Sequence, residues 1–104
     1  MNCNVDAAIE TARQVYKSGQ FHPMQGAHYA KNNTCGCIIG ALTVAGNGPV
    51  GNILASLDFC KSRYGLTEGE IAGLTHGWDG NPQHHRQYAH QQANMLAREF
   101  GLIV

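Results

Sequence analysis

Apolar positions recur along most of this chain at helical spacing. Val5, Ala8, Ile9, Ala12, Val15 and Tyr16 form one stripe. Asn4 reads as its N-cap and Gly19 as its C′ stop. Asp6 and Glu10 come early and Arg13 and Lys17 late, as the helix dipole favours. A second helix is predicted after Thr34 as cap, with Cys37, Ile38, Ala41, Leu42 and Ala45 on one face. Gly36 and Gly40, four apart, leave that helix open to close approach by another element. Gly46-Asn47-Gly48-Pro49 ends it. A third helix is predicted from Pro49, a first-turn residue, with the stripe Val50, Ile53, Leu54, Leu57, Cys60 and Tyr64 and a stop at Gly65. Thr67-Glu68-Gly69-Glu70 is a capping box, and Leu66 is placed to staple onto Ile71. This fourth helix is predicted to end at Gly77. Asn81 and Pro82 read as cap and first turn of a fifth helix, with Ala89, Ala93, Leu96, Ala97 and Phe100 facing inward. Gly101 and Leu102 fit a Schellman stop.

Residues 20–34 carry no period, and Ala27-His28-Tyr29-Ala30 offers one helical turn at most. No run alternates with period two, so no strands are predicted. The expectation is an all-α fold: a single compact domain, 1–104, of about five short helices.

The length of 104 residues suits one domain. Only 13% of residues are charged, against about 25% in ordinary soluble domains. Seven basic and seven acidic residues cancel. That balance excludes nucleic-acid binding by bulk charge, which needs a basic face to displace counterions. A helix-turn-helix reader built on the last two helices would have only Arg86 and Arg98 on its second helix. No apolar run approaches the roughly 18 residues of a membrane span, and the first residues lack a basic start and apolar core. A cytoplasmic protein with reduced cysteines is expected. Asp6, Glu10, Arg13, Lys17, Lys61, Arg63, Glu68, Glu70 and Arg98 mostly sit at helix ends that suit their sign. Few charges are left for acid–base chemistry.

Four groups of residues are candidates for chemistry. Cys35-Gly36-Cys37 with His22 and His28 supplies thiolate and imidazole, the ligands of tetrahedral zinc. Cys-x-Cys is tighter than the usual knuckle, however, and lacks a second paired half, so no cofactor is expected. Cys35 or Cys37 at a helix N-terminus is a candidate nucleophile, with His76 and Asp79 as base and orienter. His76-Gly77-Trp78-Asp79-Gly80-Asn81 supplies either a small recognition surface, with His28, or a structural turn whose indole fills the gap between helices. His84, His85 and His90 do not share a helical face, and read as a solvated face. Gly46-Asn47-Gly48-Pro49 lacks the Lys-Ser/Thr end of a phosphate loop.

Cys37-Ile38-Ile39-Gly40-Ala41-Leu42-Thr43-Val44-Ala45 fits a Cys-x-x-Gly-Ala-Leu-x-x-Ala helix, and Trp78-Asp79-Gly80-Asn81 follows downstream. The pair resembles uncharacterised small bacterial and phage proteins that combine such a helix with a later Trp-Asn-Asp turn. Here Asp79-Gly80 replaces Asn-Asp. The resemblance implies a small helical domain of phage or mobile-element context. Low charge and a neutral polar surface point first to a non-enzymatic interaction protein that binds a protein partner or self-assembles. The alternatives are a small-ligand or metal-binding module built from residues 22–37 and the Trp78 turn, and a cysteine-dependent enzyme.

Overall fold

The computed structural model describes residues 2–104, and their backbone forms five helices. These are α1 (Cys3–Ser18), α2 (Ile38–Ala45), α3 (Ile53–Tyr64), α4 (Glu68–Asp79) and α5 (Tyr88–Glu99). One apolar cluster draws on all of them, with Ile38, Leu42, Leu74, Trp78 and Leu96 fully or almost fully enclosed. Among the described residues, no helix is long and apolar enough to cross a membrane. All four cysteines are free.

The expected all-α fold stands, with one addition. A two-residue parallel pair joins β1 (His22–Pro23) to β2 (Cys35–Gly36), in register His22 to Cys35 and Pro23 to Gly36. Ala30 bridges Cys35 from the other side. Pairs this short carry no alternation for a sequence to display. They arise because Cys35 and Gly36 are buried, and buried amides and carbonyls must find partners. Residues 27–30 accordingly make no helical turn.

Several boundaries differ from the predicted ones. Asn2, not Asn4, caps α1: its side-chain oxygen accepts from the Asn4 and Val5 amides, while the Asn4 amide group reaches the Gly65 carbonyl. Thr34 does not cap α2, since its hydroxyl bonds the Lys31 carbonyl; Cys37 occupies the cap position with no side-chain bond to the helix. α3 starts after Asn52, whose side chain accepts from the Ala55 amide, so Pro49 lies outside it. Its buried face holds Ser56 and Cys60, and Leu54 is left 77% exposed. α4 runs through Gly77 to Asp79 and stops at Gly80, where φ is +76° and the Gly80 and Asn81 amides close a Schellman turn on Gly77 and His76. α5 starts after Gln87, and residues 82–87 form turns rather than its first coil.

Glycine explains why α4 passes Gly77. Gly73 and Gly77 lie on the α4 face that meets α5, and a β-carbon at Gly77 would run into the His90 backbone carbonyl. The residue that reads as a stop signal is there for close packing. The capping box on α4 is complete: the Thr67 hydroxyl accepts from the Glu70 amide and the Glu70 carboxylate from the Thr67 amide. Thr67→Ala is expected to cost about 1 kcal/mol, measured as a fall in urea midpoint with unchanged slope.

Candidate functional site

The constellation with most chemical content sits where α2 begins. Cys35 and Gly36 lie in β2, and Cys37 occupies the N-cap of α2, where the chain turns from strand into helix. The Cys35 sulfur lies 3.8 Å from that of Met24 and 3.7 Å from the Ala30 carbonyl. The Cys37 sulfur has a different partner, lying 2.9 Å from Nδ1 of His28. His22 is exposed on β1. The four residues weighed as zinc ligands therefore do not converge. Among the described residues, no three His, Cys, Asp or Glu side chains are grouped to hold a metal ion.

His28 is held by backbone contacts on both sides. The Ala27 carbonyl accepts from the Cys37 amide at 2.9 Å. The His28 carbonyl rests where β-carbons at Gly36 and Gly40 would stand. The glycine pair thus admits a loop, not a helix, and that loop delivers the imidazole to the thiol.

Asp79 completes the group from the end of α4. Its Oδ1 accepts the Gly26 amide at 3.1 Å. The neighbouring Trp78 is wholly buried, stacks on Tyr16 at 5.2 Å, and donates its indole N–H to the Met24 carbonyl at 2.9 Å. Gln25 donates back to the Trp78 carbonyl at 2.6 Å. Trp78 is therefore core and anchor and presents nothing to solvent. These bonds strap residues 24–26 to the end of α4. Between strap and helix lies a cavity of about 90 Å³, lined by Gly26, Ala27, His28, Cys37, Thr75 and Asp79.

Burial sets the proton inventory. It pushes the Cys37 thiol up to about 12, against the pull of the Gly40 and Ile39 amides that face the sulfur at the start of α2. Burial also pushes the His28 imidazole down, and the nearby Asp79 carboxylate partly offsets this. Both members of the pair rest neutral at pH 7, and in the Nε2–H tautomer of His28 the thiol donates to Nδ1. The shift of His28 has a sign that can be tested. Below about pH 6.5 an unfolded histidine binds a proton that folded His28 resists, so its contribution is complete above that pH and is lost as pH falls through the lowered folded value. The loss in urea midpoint from pH 7 to pH 5 is expected to be smaller in His28→Gln than in the wild type.

Of the residues expected at a site, His28, Cys37 and Asp79 come together. His76 does not line the thiol cavity; its ring stacks on His84 at 5.0 Å, and its Nδ1 lies 3.3 Å from the Asn81 amide nitrogen. Asn81 is exposed, caps no helix, and offers its carbonyl to Nε2 of buried His90 at 2.7 Å. Thr75 was not anticipated, and the sequence grouped His28 with Cys37 only as a candidate metal ligand. The Gly36/Gly40 spacing was the available signal, because it marks where backbone crosses the helix beside the cysteine. No family model, curated protein or solved structure matches this chain.

Proposed function

We propose that this domain is a cysteine-dependent acyl-transfer or hydrolytic module, with Cys37 as nucleophile and His28 as base. The contact that carries the reading is Cys37 Sγ to His28 Nδ1 at 2.9 Å, at the first turn of a helix and on the wall of a cavity. Because the pair rests neutral, attack is concerted with proton transfer, as in a hydroxyl nucleophile activated by histidine. The sulfur bonds the carbonyl carbon while its proton passes to Nδ1. The carbonyl oxygen takes the electron pair. Collapse expels the leaving group, which takes the proton from Nδ1, and leaves a thioester on Cys37. Water then attacks the thioester with Nδ1 again accepting the proton, and the free acid and thiol are restored. Asp79 is a positioning residue: it favours the transient imidazolium and fixes the strap through Gly26.

Cys3, exposed at the start of α1, is a competing thiol that the test removes. In a Cys3→Ser background, p-nitrophenyl acetate should place one acetyl group on Cys37, read by mass spectrometry of the intact chain. Cys37→Ser should lose it, and His28→Gln should slow it about a hundredfold, the usual scale of general-base help. Acetylation at equal rates with and without His28 would sink the proposal.

The exposed apolar residues Val50, Ile53 and Leu54 favour a second reading, a protein-binding or self-associating module. If that reading holds, sedimentation should show a concentration-dependent assembly that Leu54→Lys disperses, or a monomer whose partner capture Leu54→Lys abolishes.

A further inference from the structure

The thiol cavity, at about 90 Å³, is well below the roughly 300 Å³ at which ligand pockets begin. It admits a carbonyl group and little more, so the rest of any substrate must lie outside it. One adjoining depression shares two of its walls. His28 and Thr75 line both the cavity and a groove of about 330 Å³ between α3 and α4. Leu57, Ile71 and Ala72 give that groove apolar walls. Its charged lining residues, Lys61 and Glu68, pair at 3.4 Å, and Lys61 pairs at the same distance with Asp58 beside the groove, so the lining holds no unpaired cation for an anionic ligand.

Resting on the reading of Cys37 as nucleophile, we propose that the α3–α4 groove holds the uncharged, apolar acyl substituent of the substrate, with the scissile carbonyl passing His28 to reach the sulfur. Such a substituent belongs either to a fatty-acyl group or to a leucine-like residue of a peptide. The shared chemistry is a branched or linear hydrocarbon of four to six carbons beside a carbonyl.

The test compares p-nitrophenyl acetate, p-nitrophenyl hexanoate and the p-nitrophenyl ester of N-acetyl-leucine as acyl donors to the Cys3→Ser chain. Acylation of Cys37 should be at least tenfold faster with one or both longer donors than with acetate. A hexanoate preference assigns the groove to fatty-acyl groups, and a leucyl preference assigns it to peptides. Ala72→Trp, which fills the groove, should bring the faster donor to the rate of acetate. Hexanamide, which needs no variant, should protect Cys37 from acetate where acetamide does not. Equal rates for all three donors would overturn the groove assignment while leaving Cys37 as nucleophile. Absence of acylation at Cys37 by every donor would overturn both.

Discussion

Gly40→Ala is expected to destabilise the domain by about 2 kcal/mol and to dismantle the Cys37–His28 pair. Two effects of opposite sign meet at this position. Alanine is the better helix former by about 1 kcal/mol in a helix interior, so on propensity alone the substitution stabilises α2. Against that, the new β-carbon would stand inside contact distance of the His28 carbonyl and 2.9 Å from the Phe21 ring. Phe21 is fully buried, and the His28 segment is tied through Ala27 to the Cys37 amide, so neither neighbour yields freely. Overpacking of this kind costs about 3 kcal/mol at the upper end of its usual range, and it outweighs propensity. Relief can come only by lifting the loop that carries His28. The stability loss should therefore come with a loss of Cys37 reactivity at temperatures where the chain is still folded. Gly19→Ala is the control: it meets no atom within 4 Å, but its φ of +78° costs a side chain about 1 kcal/mol. It should destabilise without changing Cys37. A Gly40→Ala chain more stable than wild type would mean that the loop does not sit on the helix.

The same glycines explain how much of the molecule is legible in its sequence. Five helices follow from periodicity because each buries an apolar face, and the Thr67–Glu70 box and the Gly19, Gly65 and Gly101 stops are local chemistry that tertiary contacts leave intact. Gly77 carries the same residue type as those stops, but its role is set by the His90 backbone across the α4–α5 contact, which no local pattern reveals. Val50, Ile53 and Leu54 keep helical spacing yet are exposed, because the inward side of α3 is set by Ser56 and Cys60. The candidate site was half legible. Cys37 and Asp79 were visible as a thiol near a helix start and a carboxylate near a turn. A base was sought downstream, at His76, whereas the histidine that the fold brings against the thiol is His28, nine residues before it, through a loop with no period of its own. The scarcity of charge also told less than it first suggested. The proposed mechanism needs one imidazole and one carboxylate, and the chain retains both after its helix ends are served.

Trp78→Ala is expected to be the most damaging single truncation, at about 4 kcal/mol, within the range for buried aromatic truncations. Trp78 is fully enclosed and stacked on Tyr16, so its loss leaves a cavity that the rigid α4–α5 contact cannot close. A second cost falls on the site. The indole N–H holds the Met24 carbonyl, one of three bonds between residues 24–26 and the end of α4. Trp78→Phe separates the two effects, since it keeps most of the apolar volume but donates no hydrogen bond. It should cost about 1–2 kcal/mol, the scale of a lost bond plus imperfect filling. If the strap positions the site, Trp78→Phe should also raise amide hydrogen exchange across residues 24–28 and slow acylation of Cys37, with α1 and α5 exchanging as in wild type. Unchanged exchange at residues 24–28 in a stably folded Trp78→Phe chain would reduce Trp78 to a packing residue. The Gln25 bond to the residue-78 carbonyl and the Gly26 bond to Asp79 would then be left to hold the loop that carries His28.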